Sequence, residues 1–185
     1  MKRLMDIWLS LTALVLLSPL LLATTVACVI GDGFPVLFRQ VRVGLNGREY
    51  RMYKFRSMVR DASAVGPHFT DGAGDPRITR VGRFLRRTSI DELPQLLNVL
   101  KGDMSLVGPR PDLPVQRSLY SEHQWIERCS VRPGITGLAQ ALFRSEATHE
   151  QRLAADLRYA REASVWLDIR ILFWTIKRLG GQAAN

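Results

Sequence analysis

Residues 4–30 read LMDIWLSLTALVLLSPLLLATTVACVI. Asp6 is the one charge in this run, and the run is longer than the ~20 residues a helix needs to cross a hydrocarbon core, so a membrane segment is expected. It is too long for the apolar core of a signal peptide and lacks a clean small-residue exit; Thr25-Val26-Ala27-Cys28 is only a faint match to a lipoprotein processing site. Ser18-Pro19 stands near its centre, where proline removes a backbone donor and kinks the helix while serine can bond a freed carbonyl. Lys2 and Arg3 precede the run, and Arg39, Arg42, Arg48, Arg51, Lys54 and Arg56 follow it, so both ends prefer the cytoplasmic side. A kinked span would frustrate one end, whereas a re-entrant helix satisfies both. The expectation is a monotopic membrane protein, with a re-entrant helix over 1–31 and a soluble unit over 32–185.

Outward from the membrane, residues 36–55 read as a β-hairpin around Gly44-Leu45-Asn46-Gly47, whose Asn-Gly pair is a tight-turn signal. Residues 61–77 hold too many Gly, Pro and Asp for regular structure and form a loop, either a lid over a ligand or a plain surface connection. Over 78–87, Ile78, Val81, Phe84 and Leu85 recur at helical spacing among Arg77, Arg80, Arg83, Arg86 and Arg87, a basic amphipathic helix. Ser89 to Leu100 reads as the next helix, closed by Lys101-Gly102, with Asp91 and Glu92 in its first turn. Two more helices are expected at 150–162 and 164–179. The second carries Trp166, Phe173 and Trp174 with Arg170, Lys177 and Arg178, a mixture suited to a membrane interface or, alternatively, to an ordinary core. No internal repeat is apparent. The fold class is therefore mostly α with a small β-hairpin.

The net charge of +9 suits phosphates, an anionic bilayer or nucleic acid. Charge alone would serve a basic nucleic-acid-binding or peripheral membrane protein, but no helix-turn-helix or stacking platform stands out, so no nucleic-acid partner is expected. Cys28 and Cys129 lie far apart, and His68, His123 and His149 belong to no ligand pattern, so neither a disulfide framework nor a zinc site is read.

At a helix entrance the backbone amides favour ionised carboxylates, and an ionised carboxylate can attack phosphorus if the phosphate's own charge is neutralised. Arg86 and Arg87 lie just before Asp91-Glu92, and Arg110 follows within Gly108-Pro109-Arg110-Pro111. Arginine's planar fork matches phosphate oxygens, and Pro109 and Pro111 stiffen the backbone that aims it. Asp beside Glu also suits Mg²⁺, which takes its remaining ligands from a diphosphate. By itself the pair reads more readily as a helix cap than as a catalytic dyad.

The order of further motifs changes that weighting. Arg42-Val43-Gly44, Tyr53-Lys54-Phe55-Arg56-Ser57-Met58, Asp75-Pro76-Arg77-Ile78-Thr79-Arg80, Arg86 through Asn98, Lys101-Gly102-Asp103-Met104-Ser105, Gly108-Pro109-Arg110-Pro111 and Arg132-Pro133-Gly134-Ile135-Thr136-Gly137 follow the membrane run in sequence. Over nearly its whole length the chain resembles the small bacterial phosphoglycosyl transferases that start glycoconjugate assembly on undecaprenyl phosphate. The resemblance implies a monotopic enzyme of the bacterial inner membrane, its catalytic domain on the cytoplasmic face and Mg²⁺ as cofactor. It implies that Asp91 attacks a UDP-sugar, releasing UMP, and that polyprenyl phosphate then takes the phosphosugar. Glu92 would serve as metal ligand or as base, and Arg110 and Arg86 would bind phosphate. After Gln140, where many relatives continue with Gly-Arg and a tryptophan, this chain reads Ala141-Leu142-Phe143-Arg144, so Arg144 is the candidate for the usual arginine.

Overall fold

The apolar run folds as two helices, α1 (Lys2–Leu16) and α2 (Ser18–Asp32), bent by 62°. Pro19 cannot donate to the Val15 carbonyl four residues back, and the Ser18 hydroxyl donates to it instead at 2.8 Å. Each helix has 15 residues, about 22 Å of rise, and no single described helix is long and apolar enough to cross a bilayer. The computed structural model describes residues 1–60, 62, 75–143 and 148–182, with side chains as far as residue 177. Most of the loop read at 61–77 and the candidate Arg144 lie outside these residues.

The hairpin pairs β1 (Leu37–Val43) with β2 (Glu49–Phe55) antiparallel, Leu37 opposite Phe55 and Val43 opposite Glu49. Asn46 and Gly47 both take positive φ, 55° and 75°, as the Asn-Gly signal requires. Thr79 caps α3 (Arg80–Thr88) by accepting from the Gly82 amide. Val81 and Leu85 pack inward, but Phe84 lies 51% exposed and Ile78 precedes the helix in a bridge to Met58. The helix expected over 89–100 is divided. Ser89 turns left-handed at φ 57°, Ile90–Glu92 form one 3₁₀ turn, and α4 (Gln95–Lys101) begins only after Pro94.

A parallel pair absent from the sequence reading follows: β3 (Ser105–Val107) beside β4 (Gly134–Thr136). The strands approach so closely that a Cβ on Gly134 would lie 2.1 Å from the Gly108 amide nitrogen. The short helices α5 (Glu122–Arg128) and α6 (Leu138–Leu142) precede and follow β4 in the chain, and both pack on α7 (His149–Glu162), which α8 (Val165–Gln182) follows. One cluster of buried side chains joins Val107, Leu138, Ala155, Tyr159 and Ile171; smaller ones form around Phe55 and Leu85 and around Met52, Val99 and Met104. Along α8, Asp168 and Ile171 face inward, while Trp166, Ile169, Phe173 and Ile176 form an exposed stripe, so of its expected interfacial aromatics only Trp174 turns toward the core.

Both ends of the bent helix pair are fastened to the rest of the chain. At the start, the Lys2 ammonium pairs with fully buried Asp168, Arg3 donates to the Val99 and Leu100 carbonyls, and buried Asp6 accepts from Ser105. At the end, Arg56 donates to the Asp32 carbonyl at 2.6 Å and Thr79 to the Asp32 carboxylate at 2.9 Å. Between these fixed ends, Leu11, Val15, Leu16, Leu22 and Val26 are exposed.

Candidate active site

Asp91 lies between the end of α3 and the start of α4, on the turn that Pro94 separates from the helix. The tight turn at Ser89 brings Asp91 and Glu92 beside β2 and a cavity of about 600 Å³, which both carboxylates line with Lys54, Ser57, Arg86 and Arg110. Arg86, from the last turn of α3, is oriented by its Nε donating to the Ser57 hydroxyl at 2.9 Å. Arg110 reaches the same cavity from the other side. Its backbone is fixed by its neighbours: the Gly134 amide donates to the Pro109 carbonyl at 2.9 Å, and an Arg42 guanidinium nitrogen donates to the Pro111 carbonyl at 2.9 Å. Gly108-Pro109-Arg110-Pro111 and Arg132-Pro133-Gly134-Ile135-Thr136-Gly137 are thus one unit that presents an exposed guanidinium between two buried prolines.

The two carboxylates differ. Burial pushes the Glu92 carboxyl up, but Arg110 at 3.0 Å and Lys54 at 2.7 Å outweigh it and hold the group below the ordinary carboxylate range. For Asp91, 8% exposed, burial and the charge of Glu92 push the carboxyl above that range, and Lys54 and Arg86 offset this only in part. The helix-entrance expectation that both are favoured as anions therefore holds for Glu92 alone. The physical reason is that Lys54 and Arg110 bond to Glu92 whereas burial dominates at Asp91; α4 starts beyond Pro94, so neither carboxylate stands in its first turn.

Among the described residues, no three His, Cys, Asp or Glu side chains cluster as a metal-holding group. Asp91 and Glu92 are the donor set this cavity offers. Two adjacent carboxylates beside a space large enough for a diphosphate fit a Mg²⁺ ion that takes its other oxygens from substrate and water. Of the residues singled out in the sequence, the structure places Asp91, Glu92, Arg86 and Arg110 around one cavity, with Pro109 and Pro111 buried on either side of Arg110. Sequence reading passed over two cations as site residues. Lys54 and Arg42 line the cavity from β2 and β1, and both sit in motifs quoted above, so the signal existed but gave them no role.

A second cavity, about 510 Å³, adjoins the first and shares Arg42 and Arg110 with it. Its wall includes Arg128, buried between Asp112 at 2.5 Å and Asp156 at 2.9 Å.

Comparison with known proteins gives these parts a context. A family model described as bacterial sugar transferase matches residues 1–181. The undecaprenyl-phosphate glucose phosphotransferase of Komagataeibacter xylinus is 46% identical over 96% of this chain and 35% of its own length. The UDP-N-acetylgalactosamine-undecaprenyl-phosphate N-acetylgalactosaminephosphotransferase of Aeromonas hydrophila is 43% identical over 96% of this chain and 43% of its own. The exopolysaccharide production protein PSS of Rhizobium leguminosarum bv. phaseoli is 44% identical over 95% of this chain and 93% of its own. The chain therefore spans less than half the length of the first two relatives and nearly all of the third.

Proposed function

We propose, from the premise that the chain belongs to the bacterial sugar transferase family, that it moves a sugar-1-phosphate from a UDP-sugar to undecaprenyl phosphate and so opens exopolysaccharide or glycoconjugate assembly. The observation that carries the reading is the cavity where Asp91 and Glu92 meet Lys54, Arg86 and Arg110, two acids among cations suited to phosphate. An Asp91 carboxylate oxygen attacks the β-phosphorus of the donor. The bond from that phosphorus to the bridging oxygen breaks, and its electron pair leaves on UMP. A phosphate oxygen of the polyprenyl acceptor then attacks the same phosphorus, and the Asp91 carboxylate departs, leaving polyprenyl-diphosphate-sugar.

Arg110 and Arg86 bind and orient phosphate oxygens from opposite sides of the cavity, and Glu92, held ionised by Lys54, serves as metal ligand or as base toward the acceptor. Mg²⁺, held by Asp91 and Glu92, would supply the positive charge that favours ionised Asp91 and offsets charge building on the diphosphate.

The helix pair supports a re-entrant, monotopic placement on the cytoplasmic face of the inner membrane. A span would need α1 and α2 to put their outer ends on opposite sides, yet both ends bond to the same unit. The exposed apolar residues near the bend and the Trp166, Ile169, Phe173 and Ile176 stripe offer surface for one leaflet. Reagent accessibility of tags at Met1 and Asn185 tests this, and tags on opposite sides would refute re-entry. For the chemistry, purified protein is given a panel of UDP-sugars with and without polyprenyl phosphate. UMP release that depends on the acceptor over many turnovers supports the transferase, whereas equal turnover without acceptor would make it a hydrolase.

A further inference from the structure

The cavity beside the dyad has the parts of a nucleotide site. Arg42 and Arg110 line both cavities, but Asp91 and Glu92 line only the first. Two guanidiniums thus stand at the boundary. Burial first, and then the neighbouring Arg110 charge, push Arg42 below its ordinary range, so an anion between the two guanidiniums would offset their repulsion. Beyond them the second cavity carries paired rings, Tyr120 and His149, with centroids 5.4 Å apart. The Gln140 carboxamide, from α6, also lines it, with Arg152 from α7. A carboxamide places donor and acceptor side by side, the complement of the N3–H and C4=O edge of uracil, and aromatic rings offer the flat face a base stacks on. The Arg128 guanidinium is taken up by Asp112 and Asp156, which enclose it and leave none of its charge for a ligand.

The proposed reaction adds a constraint. A displacement at phosphorus runs roughly in line, so the leaving group lies on the far side of the β-phosphorus from the attacking Asp91. The nucleotide therefore cannot share the nucleophile's side of the site. It needs room past the arginines, and about 510 Å³ is within the range of small-molecule sites.

We propose that the cavity bounded by Arg42, Arg110, Tyr120, Gln140, His149 and Arg152 is the subsite for the nucleotide half of the donor. The α-phosphate sits between Arg42 and Arg110, and the base lies toward Tyr120, His149 and Gln140. The phosphosugar stays in the Asp91 cavity on the nucleophile, and the acceptor phosphate, attacking in line opposite Asp91, enters where the α-phosphate of UMP has left. On this division the sugar is selected by a different wall of the molecule from the nucleotide. This inference rests on the transferase reading above.

The test is photo-crosslinking of the full chain in detergent with 5-iodouridine monophosphate, followed by peptide mapping, alongside UMP release from the UDP-sugar panel. Label on Tyr120 or His149, competed by UMP and with competition weakened about tenfold in Gln140→Ala, is the expected result. UMP release together with label confined to residues of the Asp91 cavity, or with no UMP-competed label near Tyr120 and His149, would overturn the inference while leaving the transferase intact. Absence of UMP release from every UDP-sugar would instead remove the reading on which it rests.

Discussion

Two places in the molecule set a pair of carboxylates against arginine, and they end in opposite states. At Asp112, Arg128 and Asp156, three buried groups close on one another, with the guanidinium between both acids. At Asp91 and Glu92 the bonded cations, Lys54 and Arg110, go to Glu92, and Asp91 is left beside an open cavity with Arg86 near it. In the first, Arg128 draws on two anions, which together outweigh burial and raise its affinity for the proton, while burial dominates Asp156 and pushes that carboxyl up to about 6. In the second, burial and the Glu92 charge raise Asp91, and Lys54 and Arg86 offset this only in part. A closed set of charges serves the fold; an incomplete one serves a ligand.

The largest expected effect falls on the open pair. Asp91→Asn should slow UMP release at least about a thousandfold, because the amide cannot attack phosphorus, with membrane association unchanged. Near-normal release from this variant would break the contrast at its active end. Next comes the closed pair: Arg128→Met leaves Asp112 and Asp156 buried without their cation and should lower unfolding free energy by about 3–5 kcal/mol in denaturant titration. A loss under about 1 kcal/mol would mean the triad is not what holds this wall.

The pH dependence of stability sharpens the same comparison. With Asp156 at about 6 folded against an ordinary 3.8, the folded state holds the proton between those values while the unfolded chain releases it. Stability contributed by this group is therefore full below about 4 and declines as pH rises through 6, by up to about 3 kcal/mol. Asp156→Asn should flatten that stretch of the profile; an unchanged slope would assign it elsewhere. The smallest expected effect is at Lys54→Met, which should lower turnover about 10- to 100-fold by weakening the hold on Glu92 as an anion. It should also move the acidic limb of the rate profile upward, and an unshifted limb would deny Lys54 that role.

What the sequence disclosed depended on how local the determining physics was. The helix break was legible because Pro19 and Ser18 settle one carbonyl between them, and the hairpin because Asn46-Gly47 alone accepts the φ values of its turn. The division at Pro94 was visible too, yet helical spacing on both sides suggested continuity, and the 3₁₀ turn at Ile90–Glu92 corrects it. The β3–β4 pair could not be read, since three residues show no alternation and the close approach depends on Gly108 and Gly134 meeting from distant segments. The same holds at the site. Asp91, Glu92, Arg86 and Arg110 are near one another in the chain and were found, whereas Arg42 and Lys54 enter from the hairpin. The partners of Arg128 lie on either side of it in sequence, with nothing local to pair them.

Intact-mass measurement of wild-type protein incubated with a competent UDP-sugar and Mg²⁺, with polyprenyl phosphate withheld, tests the role of Asp91 most directly. A species heavier by one sugar-phosphate, mapped to Asp91, released by added polyprenyl phosphate and absent in Asp91→Asn, is the predicted result. Release of UMP with no such species at any time, or an adduct that persists in Asp91→Asn, would contradict it.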